Sequence, residues 1–241
     1  FNYTYGTNGL PVPTGTTVNR IDTTVIARDL AAVDRGSVDC VIAFVHWGNE
    51  YERRPDSEQR MLAGFLRRHG ADLVVGSHPH VVQPFEQDST GAVFYSLGNF
   101  VSNQRRRYCD GGLLAEVEVV KRIAAGVPTM HYAAQAVPVW VALPDYRILP
   151  PEVADTLAMP PHARAAYDRF MQDNGKFALN KTGLLAYSHG EYFDLGKSLG
   201  TFGYSVKKKK SPFPLPQKRS SSPAVRTAKT IKSHRTLVGK I

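Results

Sequence analysis

Two histidines separated by a single proline, His78-Pro79-His80, have the residue types and spacing that most clearly suggest chemistry in this chain. They follow an apolar run, residues 73–75 (LVV), and a turn made by Gly76 and Ser77. An apolar run that ends in a glycine turn predicts a buried strand leading into a loop. Because neutral imidazole is a common ligand of divalent transition metals, the pair indicates a metal site at the end of that strand.

A strand–helix–strand unit is expected to bring a third histidine to the same place. Residues 38–45 (VDCVIAFV) predict a strand, Ser57 opens an amphipathic helix that Gly70 ends, and residues 71–75 form the next strand. The strands of such a unit are parallel and end at the same edge of the sheet. His46, which directly follows the first strand, is therefore expected beside His78 and His80.

We predict His46, His78 and His80 as metal ligands, with zinc, manganese or iron as the candidate divalent metals. The alternative is that each histidine only caps or hydrogen-bonds a loop. His69 ends the predicted helix, where a cation interacts favourably with the helix dipole, and is interpreted as structural.

Two further polar residues are candidates for the site. Glu50, four residues after His46, could be a ligand, orient an imidazole or act as a general base, and we assign it the catalytic role. The alternative for Glu50 is a surface ion pair with Arg53 or Arg54. Asn99, in the turn after a predicted strand at residues 92–97, could hydrogen-bond a substrate or a histidine. It could equally be there because asparagine tolerates turn conformations.

The charge of the chain is concentrated at one end. The 241 residues carry a formal net charge of +9, but residues 206–241 contain eleven Lys or Arg and no Asp or Glu. The remaining residues hold 19 basic and 21 acidic side chains, so residues 1–205 are close to neutral. The composition of residues 206–241 predicts a disordered, solvated tail; the alternatives are a segment attracted to an anionic surface, polymer or nucleic acid, and a terminus that does not belong to the fold. The near-neutral charge of residues 1–205 argues against specific nucleic-acid binding by the folded part. No run of about 18 apolar residues exists to span a membrane.

The remaining pattern favours an α/β fold. Residues 115–119 and 137–142 are strand-like and are expected to pair antiparallel, which would make the sheet mixed. Pro161 starts another helix with one apolar face.

Five blocks of sequence, in order, resemble the CapA (PgsA) family of capsule and poly-γ-glutamate synthesis proteins. The blocks are His46-Trp47-Gly48-Asn49-Glu50-Tyr51, Gly70-Ala71-Asp72, Gly76-Ser77-His78-Pro79-His80-Val81, Gln83-Pro84 and Tyr95-Ser96-Leu97-Gly98-Asn99-Phe100. The resemblance implies the calcineurin-like metallophosphatase fold, a four-layer α/β/β/α sandwich with mixed sheets. In that superfamily His46 resembles the isolated histidine ligand, and His78 and His80 resemble the Gly-His-x-His pair.

A hydrolytic pair of metal ions also requires bridging carboxylates, and the sequence contains no acidic cluster such as DxD. The resemblance explains this absence. Family members open with Gly-Asp, Asn-Leu-Glu and Asn-Asn-His blocks before a Tyr-Gly-Thr-Asn-Gly segment, which here is residues 5–9. We therefore expect residues 1–205 to be the carboxyl-terminal portion of the domain, incomplete at its N-terminus. A two-metal centre is expected only in the full-length domain.

Two functions follow from this resemblance. One is a metal-dependent hydrolase acting on a phosphoester or a related polymer linkage. The other is a non-catalytic assembly or export factor that binds an anionic capsule polymer, for which the basic residues 105–107 are suited. Both imply a bacterial protein of the cell envelope with other capsule-synthesis proteins as partners.

Overall fold

The structure is a computed structural model that describes residues 1–175 and the backbone of four short strands after them. Its helices are α1 (Thr23–Ala31), α2 (Ser57–Arg68), α3 (Pro151–Ala154) and α4 (Pro161–Asn174). The strands within residues 1–175 are β1 (Asn2–Thr4), β2 (Ile42–His46), β3 (Leu73–Ser77), β4 (Phe85–Asp88), β5 (Gly91–Phe94), β6 (Gly111–Ala124), β7 (Val127–Ala142) and β8 (Arg147–Leu149). Beyond them lie β9 (Leu185–Ser188), β10 (Glu191–Asp194), β11 (Lys208–Lys209) and β12 (Thr236–Leu237).

A mixed sheet of five strands carries the candidate site. Its order is β1-β2-β3-β5-β4, with β4 antiparallel to β5 and the other neighbours parallel. The predicted strand–helix–strand unit, β2–α2–β3, is confirmed, and its register pairs His46 with Ser77. The four parallel strands β1, β2, β3 and β5 therefore end at the edge where the histidines were predicted.

Helix α2 begins where its sequence satisfies the free backbone groups of the first turn. The Asp56 side chain accepts a hydrogen bond from the Gln59 N–H at 2.7 Å, and the Gln59 side chain accepts one from the Asp56 N–H at 3.1 Å. This reciprocal capping box stabilises the start of the helix. The buried Leu62 and Leu66 then pack the helix against the sheet.

The mixed sheet is covered on both faces. One face packs against α1 and α2, with Ile26, Leu30, Leu66 and Val74 in a shared core. The other face packs against the β6–β7 sheet through a second core that includes Phe94 and Leu113. The described residues thus form an α/β sandwich of a helix layer, a mixed sheet and a second sheet. Helix α4 packs against the Trp140 end of β7.

The strands predicted near residues 115–119 and 137–142 do pair antiparallel, as β6 and β7. They belong, however, to a separate sheet of order β12-β6-β7-β8, and not to the sheet that carries the site. The expectation that they would make the first sheet mixed was wrong. Long antiparallel strands can bury one face across another sheet, and β4 is the strand that makes the first sheet mixed.

The described residues do not test two predictions about the organisation of the chain. Residues 206–241 lie outside the described residues apart from the backbone of β11 and β12, so the domain boundary at residue 205 and the disorder of the tail stay predictions. Among the described helices, none is both long and apolar enough to cross a membrane.

Candidate metal centre

Three histidines meet at the carboxyl edge of the parallel strands, as predicted. His46 is the last residue of β2, and His78 directly follows β3. The ring centroids of His46 and His78 are 4.6 Å apart, and those of His78 and His80 are 6.2 Å apart. The predicted structural histidine, His69, lies elsewhere, stacked on Phe65 at 4.0 Å.

The backbone of the histidine pair is held in an uncommon conformation. His78 has φ 101° and His80 has φ 59°, with Pro79 between them. Positive φ in a residue with a Cβ atom costs on the order of 1–3 kcal/mol and persists only where the surrounding structure enforces it. Such strain concentrates at functional sites, because it directs side chains where relaxed backbone does not.

Hydrogen bonds between loops enforce this conformation. The Trp47 N–H donates to the Ser77 carbonyl at 3.1 Å, and the Tyr51 N–H donates to the Pro79 carbonyl at 2.8 Å. The loop after β2 is thereby joined to the loop after β3 on both sides of His78. The two loops form one unit that carries all three histidines.

Asn99 determines which nitrogen of His80 is available. The Asn99 amide donates to the Cys109 carbonyl at 2.8 Å and to Gln104 Oε1 at 3.0 Å. With both N–H groups used, Asn99 Oδ1 faces His80 Nδ1 at 2.9 Å as an acceptor. His80 Nδ1 therefore carries the proton of the neutral ring, and Nε2 keeps its lone pair, as in histidines that bind a metal through Nε2.

The local environment favours neutral rings. Burial lowers the pKa of His46, and repulsion from His78 and His80 adds to the effect. Burial also lowers the pKa of His78, partly opposed by the negative charge of Glu50 and supported by His80. Both rings are therefore uncharged at neutral pH, the form in which imidazole binds a metal.

We expect His46 and His78 to titrate below the ordinary value of 6.5 in the folded chain. Because the unfolded chain then binds more protons, the stability that these rings contribute is present above pH 6.5 and is lost as the pH falls toward the folded pKa values. The measurement is an NMR titration of the ring protons, with the same chain in concentrated urea as the control. If the titration midpoint of either ring in the folded chain is at or above its midpoint in urea, the burial described for that ring is contradicted.

Glu50 and Ser77 complete the polar surroundings of the cluster. Glu50 Oε1 lies 3.8 Å from His80 Nε2, so the carboxylate is close to the nitrogen that Asn99 leaves unprotonated without hydrogen-bonding to it. Ser77 Oγ lies 3.1 Å from His46 Nδ1 and is suited to orient that ring. An open groove of about 680 Å³, lined by Thr4, Phe44, His46 and Ser77 among others, runs along β1 and β2 beside the cluster.

The donors fit a divalent transition metal in kind but do not enclose one. Neutral imidazoles are suitable ligands for zinc, manganese or iron, and Asn99 leaves Nε2 of His80 available. Within residues 1–175, however, no three His, Cys, Asp or Glu side chains are close enough together to hold a metal ion. The described residues alone therefore do not form a metal site.

Sequence reasoning missed two aromatic residues of the site. Tyr5 stacks on His46 with ring centroids 5.8 Å apart and contacts His78 at 4.6 Å. Tyr51 stacks on His80 at 6.0 Å. Tyr5 follows the first strand, so its position at the parallel edge was a usable signal. Tyr51 has φ 67°, and nothing in its sequence neighbourhood indicates that conformation.

The fold and the cluster define an α/β sandwich protein with histidines at the ends of its parallel strands. Residues 4–104, which include every residue of the cluster, match the family model of the bacterial capsule synthesis protein PGA_cap. The chain is 47% identical over 70 residues to the capsule biosynthesis protein CapA of Bacillus anthracis, and 48% identical over 66 residues to the PGA biosynthesis protein CapA of Bacillus subtilis (strain 168). Over residues 4–104, this chain is therefore similar to the CapA family of capsule synthesis proteins.

The matches are partial in both directions. They cover 29% and 27% of this chain and 17% of the length of either relative. The matched family range ends before β6, so the second sheet and α4 lie beyond it.

Proposed function

We propose that this chain contributes the imidazole ligands of a divalent metal site in a capsule or poly-γ-glutamate biosynthesis protein of the bacterial cell envelope. The observation that supports this most directly is the hydrogen bond from His80 Nδ1 to Asn99 Oδ1, which leaves Nε2 free beside two other neutral rings. The remaining ligands come from outside residues 1–175. The names of the two CapA relatives support the capsule role and the envelope location.

The proposed activity is hydrolysis of a phosphoester or a related linkage in an anionic polymer. His46, His78 and His80 would each supply one imidazole to a metal centre that other ligands complete, and the metal when bound would polarise the linkage and lower the pKa of water. Asn99 keeps His80 in the required tautomer. Glu50, half-exposed beside His80, is placed to accept a proton at its carboxylate as a general base.

The second candidate function is non-catalytic assembly or export of an anionic capsule polymer, with other capsule-synthesis proteins as partners. It is favoured by the basic loop at residues 105–107, in which Arg106 forms none of the ion pairs among residues 1–175. Metal-dependent hydrolysis of a generic phosphoester by a full-length family protein, lost in His78→Ala, supports the enzyme. Turnover that is absent, or unchanged in His78→Ala, supports the binding protein.

The metal ligands can be tested on this chain directly. We expect zinc or manganese added to the 241-residue chain to perturb the NMR ring signals of His46, His78 and His80 while leaving His69, stacked on Phe65, unaffected. Binding should be weak, because the ligand set is incomplete within the described residues.

Two outcomes would contradict this proposal. If His69 responds as strongly as the cluster, the interaction is nonspecific. If binding is tight and stoichiometric, the chain needs no further ligands. A His69→Gln variant serves as the matched control, since it removes one imidazole that lies outside the cluster.

A further inference from the structure

The three consecutive arginines after Asn99 have different environments. Arg105 donates to the carbonyls of Val141 and Ser102, each at 3.1 Å. Arg107 binds both carboxylate oxygens of Asp173, at 3.2 and 3.1 Å. These two guanidinium groups use their donors within the fold and tie the loop to β7 and α4.

Arg106 is directed toward the histidine cluster. Its guanidinium carbon lies 4.1 Å from the centre of the Tyr51 ring, and Tyr51 in turn stacks on His80. The stack Arg106–Tyr51–His80 therefore places a permanent positive charge at the rim of the cluster. Tyr51 is itself fixed by its backbone hydrogen bond to Pro79.

The donors of Arg106 have no acidic partner among residues 1–175. Each of the described ion pairs involves another arginine, a lysine or His80, and none involves Arg106. The cation–π contact with Tyr51 does not use the N–H groups of Arg106, so they remain available to an acceptor. The planar fork of a guanidinium matches the two oxygens of a carboxylate or a phosphate.

We infer that Arg106 binds an oxyanion of the ligand at the rim of the histidine cluster, that Tyr51 positions it, and that Arg105 and Arg107 are structural. This inference deepens the proposed function, since it assigns an anionic ligand to the same site. Holding the guanidinium in advance on Tyr51 reduces the entropy lost when the oxyanion binds.

The test is oxyanion binding by the 241-residue chain in EDTA, so that it does not depend on a metal. Inorganic phosphate and poly-γ-glutamate are titrated separately at low salt, which distinguishes a phosphate site from a carboxylate site. Arg106→Gln should weaken binding of the preferred probe about tenfold or more, the effect of losing a charge-assisted hydrogen-bond pair. Arg106→Lys should recover only part of the loss, because lysine offers no planar fork.

Matched variants separate recognition from net charge. Arg28→Gln removes an equally positive and exposed side chain from α1 and should leave binding unchanged. Tyr51→Asn removes the ring while suiting the backbone at φ 67°, and should weaken binding as Arg106→Gln does. Tyr51→Phe should restore binding relative to Tyr51→Asn, since it keeps the aromatic face. The double variant Arg106→Gln/Tyr51→Asn should bind the oxyanion no more weakly than Arg106→Gln alone, because Tyr51 acts through Arg106.

Equal losses in Arg106→Gln and Arg28→Gln would overturn the inference, because binding would then follow net charge. Unchanged binding in Arg106→Gln would overturn it as well. Urea unfolding of each variant confirms that the loss does not come from misfolding. Because the assay contains EDTA, oxyanion binding is measured independently of metal binding. The inference about Arg106 can therefore fail while the metal proposal stands, and the metal proposal can fail while the inference about Arg106 stands.

Discussion

An Asn99→Leu variant is expected to lose the fixed tautomer of His80 and to bind metal about 10- to 100-fold more weakly than the native chain. Leucine offers no acceptor to His80 Nδ1, so the proton can move to Nε2 and occupy the nitrogen that a metal requires. The variant also leaves the buried Cys109 carbonyl without its donor, which should cost about 1–3 kcal/mol of unfolding free energy.

Nitrogen-15 NMR of the His80 ring reads the tautomer directly and needs no metal. Asn99→Asp separates the two roles of the amide, because a carboxylate still accepts from Nδ1 but cannot donate to Cys109 or Gln104. It should preserve the tautomer and lose stability. If His80 carries its proton on Nδ1 in Asn99→Leu as well, Asn99 does not control the ring.

Gly76→Ala is expected to destabilise the chain by about 3 kcal/mol or more. A Cβ atom at this position would lie 2.0 Å from the Tyr95 carbonyl oxygen and 2.4 Å from the indole nitrogen of Trp47. These two atoms form a buried hydrogen bond of 2.8 Å that crosses directly over Gly76. Neither the backbone of Tyr95 nor the buried Trp47 can move without opening the sheet beside the histidine loop.

Gly64→Ala is the matched control for this substitution. Gly64 lies within α2, where a Cβ would meet only the flexible end of Arg68 at 3.1 Å. Alanine there should raise the unfolding free energy by about 0.5–1 kcal/mol through its higher helix propensity. Urea unfolding followed by circular dichroism measures both variants. If the Gly76→Ala chain is as stable as the Gly64→Ala chain, Gly76 is not packed as closely as described.

The parallel edge and its histidines could be predicted because each rests on local pattern. The apolar runs before His46 and His78 specify strands, the helix between them requires a parallel crossover, and that topology brings the strand ends together. The interpretation of His69 as structural followed from its place at a helix end, and the structure does place it at the C-terminal cap of α2, in contact with Phe65.

The parts that could not be predicted depend on contacts between distant residues. The orientation of the Asn99 amide follows from the Cys109 carbonyl, ten residues away, and both lie in loops without periodicity. Arg105, Arg106 and Arg107 differ because they contact Val141, Tyr51 and Asp173, respectively. Three identical residues in a row give no sequence signal for these differences. The separate second sheet likewise depends on which faces of β6 and β7 are buried.

The left-handed backbone at His78 has a consequence for the stability of the chain. At φ 101° a glycine in place of His78 would relieve strain of about 1–3 kcal/mol, at a cost of up to about 1 kcal/mol in chain entropy. The chain would therefore fold at least as well with glycine at this position, and the histidine opposes stability where it stands. Its ring is explained by the chemistry of the site and not by the requirements of folding.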